Sequence, residues 1–181
     1  MEKISLKYIR SPYGELILGS YGNQLCLCDL RYRKMRNSIN NRIQKGLDAY
    51  FQEEESPVIL EAALQLSEYF SGERTKFDIS ISMIGSTFQI SVWNELTNIK
   101  YGDTETYLGL SRRLGNEKAI RAVAAANGAN ALSIFVPCHR ILGSNGELTG
   151  YAGGLDVKKK LLQLESGIEI SEQLALFNDN L

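Results

Sequence analysis

Histidine is almost absent from this 181-residue chain: there is one, His139. Proline is scarce as well, at three residues, and no internal repeat or low-complexity tract breaks an ordinary globular composition. No apolar run approaches the roughly 18 residues that a membrane-spanning helix needs. Residues 1–7 also lack the apolar core and small-residue cleavage site of a secretory leader. No membrane partner is expected. Three cysteines, an odd number without a leader, point to reduced thiols and a cytoplasmic location. Cys26 and Cys28 have period-two spacing, which places them on one strand face, but no further Cys or His lies near enough to complete four zinc ligands. They read as packing residues. Glycines are plentiful after residue 142, yet neither a dinucleotide-binding nor a phosphate-loop pattern fits them.

Net charge is also nearly absent, at −1, which by itself speaks against nucleic acid. Its distribution points the other way. Residues 100–160 hold nine basic and five acidic side chains, a surplus of +4, and the remainder carries −5. That asymmetry suits a half that faces a polyanion.

The first half alternates like antiparallel strands at residues 4–9, 16–18 and 25–28, with turns at 11–14 and 21–23. A helical patch follows at 43–51. Apolar residues at Ile59, Ala62, Ala63, Leu66, Tyr69 and Phe70 then mark one buried helix face entered at Pro57 and stopped at Gly72. Residues 77–84 alternate like a half-buried strand, and Gly85-Ser86 is the expected boundary between domains 1–85 and 86–168. Residues 169–181 form a polar tail. After the boundary the pattern turns helical, at 88–96 with Thr87 as N-cap, at 107–114, and at 117–126 across Gly115. The last pair fits a helix-turn-helix outline and equally an αα-hairpin in a core. In its second helix Arg121 rises among alanines, a shape that can approach a narrow groove or simply a good helix former.

The chemistry concentrates at Ile134-Phe135-Val136-Pro137-Cys138-His139-Arg140-Ile141. A β-branched and aromatic run reads as a buried strand ended by Pro137, with a thiol and the sole imidazole at its end. In the expected helix 156–165, Glu165 follows Leu161 and Leu162 by four and three residues, so it projects from the apolar face and needs a buried partner. His139 is the obvious one. The resulting Cys138–His139–Glu165 series has the nucleophile, base and orienter of an activated thiol, with a water bridging the adjacent Cys138 and His139. An unassisted thiol of pKa about 8.5 is only a few per cent thiolate at neutral pH, so such a relay matters.

The heptad Val136-Pro137-Cys138-His139-Arg140-Ile141-Leu142 resembles the active-site signature of the O6-alkylguanine-DNA alkyltransferases. Tyr69-Phe70-Ser71-Gly72-Glu73-Arg74, Phe88-Gln89 with Val92-Trp93, Tyr101-Gly102, Arg121-Ala122-Val123, Asn130 and Tyr151-Ala152-Gly153-Gly154-Leu155 also fall in family order, so the likeness covers about residues 69–167. The resemblance implies an α+β fold, with an N-terminal antiparallel sheet and helix (ribonuclease-H-like) before a mostly helical, winged helix-turn-helix-like domain. It implies repair of O6-alkylguanine in double-stranded DNA, and of O4-methylthymine, by one irreversible transfer to Cys138.

On that resemblance His139 and Glu165 activate the thiol, Asn130 braces the turn, and Tyr107 assists nucleotide rotation and protonates the leaving guanine. Tyr107, Ile141, Tyr151 and Ala152 line the base pocket. Arg121 fills the vacated base stack from the minor groove, with Lys118, Ala122, Ala124 and Ser144 on the DNA face. No metal, no cofactor and a monomer are implied. Thr87 and Lys100 stand where the family often has proline, which bears on loop geometry. A lesion-binding module without transfer would lack Cys138, a cysteine hydrolase would want an oxyanion hole, and a transcription regulator would leave Cys138 and Glu165 without a role.

Overall fold

A computed structural model describes residues 2–167; the polar tail lies outside the described residues. Three strands, β1 (Glu2–Ser11), β2 (Gly14–Tyr21) and β3 (Gln24–Leu30), form an antiparallel meander, followed by helix α1 (Arg36–Leu47). Strand β4 (Ala49–Glu53) then adds parallel to β1, giving the sheet order β3-β2-β1-β4. The sheet is therefore mixed, and the helical patch expected at 43–51 belongs to a helix that ends at Leu47. Asp48, left-handed at φ 47°, closes that helix and turns the chain into the edge strand.

Two further departures arise in this half. Cys26 and Cys28 do not share a face: the ladder pairs Gly19 with Leu27 but Ser20 with Leu25, so Cys26 is the extra residue of a β-bulge. Cys28 consequently packs toward the C-terminal helices and Cys26 toward α1. Residues 77–84 form no strand and pair with the sheet backbone at Leu25, which donates to the Ser80 carbonyl at 2.9 Å and accepts from Ser82 N–H at 2.8 Å, while the Gln24 side chain donates to the Ile81 carbonyl at 3.3 Å. Their alternation expresses half-burial against α2 and the active-site turn, with the Phe77 and Phe135 ring centroids 4.4 Å apart.

Helix α2 (Pro57–Phe70) follows its sequence signals closely. Ser56 accepts from Ile59 N–H as N-cap, Pro57 opens the first turn, and Ile59, Ala62, Leu66 and Tyr69 are buried. The helical half comprises α3 (Thr87–Thr97), β5 (Glu105–Thr106), α4 (Tyr107–Arg113), α5 (Ile120–Gly128), β6 (Ile141–Leu142) and α6 (Leu155–Ser166). β5 and β6 pair in parallel and tie the approach to α4 to the exit of the active-site turn. The segment 117–119 that leads into α5 is a 3₁₀ turn capped by Asn116, so α5 itself starts later and ends later than the pattern suggests. The indole of Trp93 donates to the Ala126 carbonyl at 2.8 Å, fixing α3 against the end of α5.

One core runs through both halves. Leu16, Leu18, Leu25 and Cys28 of the sheet meet Ile59 and Tyr69 of α2 and Trp93, Val123, Val136 and Leu161 of the helical half. Burying each such aliphatic side chain contributes roughly 1.5–3 kcal/mol before chain entropy is counted. Cys138 belongs to this same core.

The N-cap of α3 is Ser86, not Thr87. Ser86 accepts from Gln89 N–H and Gln89 returns a bond to Ser86 N–H, a complete capping box. Both residues are competent caps, and the extended backbone of Ser86 decides between them. Ser86→Ala is expected to cost about 1 kcal/mol in urea unfolding, while Thr87→Ala stays within about 0.5 kcal/mol; equal losses would mean that the box does not cap the helix.

Candidate active site

The active-site turn begins where α5 ends. Residues 134–136 are buried but form a turn, not the strand that their residue types suggest. Val136 N–H returns to the Leu132 carbonyl at 2.8 Å, and Ile134 has φ 76°, a left-handed conformation that a β-branched residue rarely adopts. Such a conformation costs of order 1–3 kcal/mol and survives where packing over-determines it. Here it reverses the chain so that Pro137 leads into a 3₁₀ turn of Cys138, His139 and Arg140, all buried.

At that turn the expected partners meet. The His139 Nε2 lies 2.8 Å from Glu165 Oε1, and neither side chain is appreciably exposed. Glu165 also accepts from the Tyr69 hydroxyl at 2.6 Å, from Arg140 Nε and Nη2 at 2.8 and 2.9 Å, and from Gly102 N–H at 3.3 Å. Arg140 uses its remaining Nη1 on the Ile99 carbonyl. Burial by itself would raise the Glu165 pKa, but the bonds and charge of His139 and Arg140 outweigh it and hold the carboxyl at about 2.

Burial pushes His139 below its ordinary value, with Arg140 and Lys158 acting in the same direction and Glu165 against them. The imidazole is therefore neutral at neutral pH. Beside an anionic acceptor its proton sits on Nε2, which leaves Nδ1 a lone pair. That Nδ1 is buried and has no hydrogen-bond partner among the described residues. It is the atom that a bridging water to Cys138 would occupy.

The Cys138 thiol has 3% of its surface exposed and accepts from Asn130 Nδ2 at 3.2 Å. The same amide group donates to the Val136 carbonyl at 2.9 Å, and Asn130 Oδ1 accepts from Leu132 N–H at 2.9 Å. Burial raises the Cys138 pKa; the Asn130 N–H pulls it down, Asp29 raises it, and Arg33 and Lys158 lower it. The resting protein thus holds a thiol whose anion already has a donor waiting.

Tyr107 opens α4, half-buried, accepting from Asn127 Nδ2 at 3.4 Å and reaching the Gly150 carbonyl at 3.5 Å. Tyr151 and Ala152 lie half-buried on the loop between β6 and α6, and burial with Cys138 and Asp29 nearby drives the Tyr151 hydroxyl well above its ordinary pKa. That loop makes no hairpin. Gly153 sits so close to Leu30 that an added Cβ would fall 1.9 Å from its Cδ1. Ile141 has no exposed surface and packs in the core. Lys118, Arg121, Ala122 and Ser144 are exposed and Ala124 half so, and neither Lys118 nor Arg121 has an ion pair among the described residues.

Several contributors escaped the sequence reading. Arg140 was visible only as part of the motif, and Tyr69 only as a core aromatic. Lys158 is wholly buried, donates to the Ile141 and Thr149 carbonyls, and is brought down to about 8 by desolvation. A lysine in a run of three gives no sign of burial. Asn127, whose Oδ1 has no hydrogen-bond partner among the described residues, is equally silent in sequence.

A buried thiol beside a neutral imidazole, next to a short helix pair with unpaired cations, defines a cysteine nucleophile on a nucleic-acid-binding scaffold. Comparison with known proteins supplies the family. The model for the 6-O-methylguanine DNA methyltransferase DNA binding domain matches residues 87–167, and that for its ribonuclease-like domain matches residues 4–83. The chain belongs to the 6-O-methylguanine DNA methyltransferase family. A methylated-DNA–protein-cysteine methyltransferase of Methanosarcina acetivorans is 43% identical over 155 residues, covering 86% of this chain and 94% of the relative. The constitutive Bacillus subtilis protein of the same name is 46% identical over 159 residues, covering 86% and 91%. The crystal structure of Mycobacterium tuberculosis OGT in complex with DNA superposes with a TM-score of 0.77 at 36% identity, over 90% of this chain and 93% of that one.

Acid should destabilise the protein in two stages. His139 and Glu165 both have depressed folded pKa values, so in each case the unfolded chain binds the proton first and stability falls as pH falls. Urea unfolding is expected to weaken first below about pH 6.5, where the unfolded histidine charges, and again from about 4.3 toward 2. His139→Gln should abolish the first stage, and a parent curve flat between pH 7 and 5.5 would contradict the buried neutral imidazole.

Proposed function

We propose that this protein repairs DNA by taking the alkyl group from O6-alkylguanine onto Cys138 in a single irreversible transfer. The observation that carries the reading is the buried series Cys138, His139 and Glu165, in which the only imidazole has Nε2 committed to a carboxylate and Nδ1 free. His139 Nδ1 takes the thiol proton through a water, and Glu165 stabilises the imidazolium that results. The Asn130 amide donates to the thiolate as it forms. Sulfur attacks the saturated carbon on O6, the C–O bond breaks, and the guanine leaves with a proton that Tyr107 supplies. The product is a thioether. It has no facile hydrolysis, so the protein is consumed and needs no cofactor.

The target carbon lies inside a duplex, so the nucleotide has to be rotated out at a cost of a few kcal/mol. In this reading Arg121, exposed on α5, enters the vacated stack from the minor groove. Lys118, Ala122, Ala124 and Ser144 border the duplex. Tyr107, Tyr151 and Ala152 receive the base, and Ile141, which has no exposed surface, backs the pocket from the core. Cys138 is closed off in this state, so entry of the base requires the surrounding pocket to open. Residues 1–85 and 86–168 act as a support and a reactive domain of a cytoplasmic monomer, and O4-methylthymine is a second substrate. Among the described residues no helix is long and apolar enough to cross a membrane.

Incubation with a duplex containing one O6-methylguanine, followed by peptide mass mapping, is expected to place one methyl group on Cys138 per protein. Repeated turnover, or tight lesion binding without an adduct, would overturn the reading. Arg121→Ala is expected to slow transfer about tenfold or more in a paired duplex, the loss of about 1.4 kcal/mol or more of support for the flipped state. Single-stranded substrate should be affected far less; equal slowing on both would remove Arg121 from the stack.

A further inference from the structure

Three consecutive carbonyls at the end of α5 are held by arginines from the opposite half of the molecule. Arg33 donates to Gly128 and, at 2.8 Å, to Asn130; Arg42 donates to Ala129 at 2.8 Å. The first two are orphan acceptors of the kind any helix leaves at its C-terminus, and Asn130 follows just beyond the cap. Arg33 is itself held by Asp29, which has no exposed surface, at 2.6 Å. Asp29 also accepts from Arg36 and from the Ser133 hydroxyl at 3.0 Å. Two backbone bonds stitch β3 to the same segment, Cys28 N–H to Ala131 at 2.8 Å and Ser133 N–H to Cys28 at 2.7 Å.

Everything thus secured between residues 128 and 133 surrounds Asn130, whose amide reaches the Cys138 sulfur. We propose that Arg33, oriented by Asp29 and assisted by Arg42, is a positioning residue that sets the reactivity of Cys138 through Asn130. The inference rests on the reading of Cys138 as alkyl acceptor.

The chemistry favours a geometric role over a stabilising one. A buried ion pair contributes little net stability compared with an apolar replacement, because desolvation offsets the attraction. A guanidinium, however, has a rigid fan of donors that can span several acceptors at once, which an ammonium cannot. Arg33 uses that fan on one carboxylate and two carbonyls. A thiolate is favoured by each donor that points at it, and the Asn130 donor stays aimed only while its backbone is fixed. Other groups also act on the sulfur: Asp29 and Cys28 from β3, Lys158 from α6, Tyr107 from α4 and Tyr151 from the loop. Arg33 is distinct among them in acting both by charge and by holding the donor.

The test compares Arg33→Lys, which keeps the charge and loses the fan, with the parent. Cys138 carbamidomethylation by iodoacetamide is followed against pH by peptide mass mapping, alongside single-turnover methyl transfer from the lesion duplex. Arg33→Lys is expected to move the Cys138 profile upward by about one pH unit and slow transfer about tenfold at neutral pH. Asn130→Ala should have a similar effect alone and add little in the Arg33→Lys background, since both act through one contact.

Should Arg33→Lys fail to fold, Arg42→Gln releases the Ala129 carbonyl, together with the Arg42 stacking on Trp93, while leaving Arg33 in place, and is expected to shift the profile the same way by a smaller amount, about twofold in rate. A profile superimposable on the parent in the folded variant, or fully multiplicative effects with Asn130→Ala, would overturn the proposal. Absence of methyl on Cys138 in the parent would instead overturn the repair reading beneath it.

Discussion

A carboxylate buried without solvent must be fully supplied with donors, and Glu165 sits at the point where that demand organises the rest of the molecule. Its two oxygens gather Tyr69 from α2, Gly102 from the turn before β5, and His139 and Arg140 from the active-site turn. Those donors come from three different stretches of chain. Satisfying one charge therefore fixes the relation between the first half, the helical half and the nucleophile. Leaving any single donor out would cost the desolvation of an unpaired buried group, of order 1–3 kcal/mol.

The same charge sets the chemistry. By holding the proton of a neutral His139 on Nε2, Glu165 leaves the other ring nitrogen with a lone pair, as the proposed mechanism requires. Arg140 helps keep Glu165 ionised, while its own charge, like that of Lys158, adds to burial in keeping His139 neutral. On the other side of Cys138 the sulfur is met by Asn130, a neutral donor anchored from the N-terminal sheet. The segment around the thiol is thereby tied down from two directions, His139 to α6 and Asn130 to β3 and α1.

Much of this arrangement is legible along the chain because it follows local rules. Glu165 projects from an apolar stripe, His139 is the sole imidazole, and α2 shows its cap, its proline and its buried face in order. What was hidden depends on contacts remote in sequence or on backbone choices that residue types do not reveal. β4 pairs with β1 across more than forty residues, and nothing in residues 43–51 marks where helix gives way to strand. The β-bulge turns Cys26 away from Cys28, though the two keep strand spacing. Ile134 has a strand former's side chain in a left-handed turn, where packing overrides preference. Lys158 and Arg33 look like surface cations, and only the carbonyls that await them far along the chain explain their burial. The exposure of Arg121 was the most accessible part, since a helix of alanines around one arginine leaves that charge little to pair with.

The most direct test of this account is the protonation state of His139. Because the chain has one histidine, side-chain nitrogen NMR of the whole protein reports a single imidazole without assignment. At pH 7 the account predicts a neutral ring protonated on Nε2 with Nδ1 bare, and a thiol on Cys138. A doubly protonated ring, or a neutral ring with its proton on Nδ1, would contradict it, because in neither is Nδ1 free to take a proton.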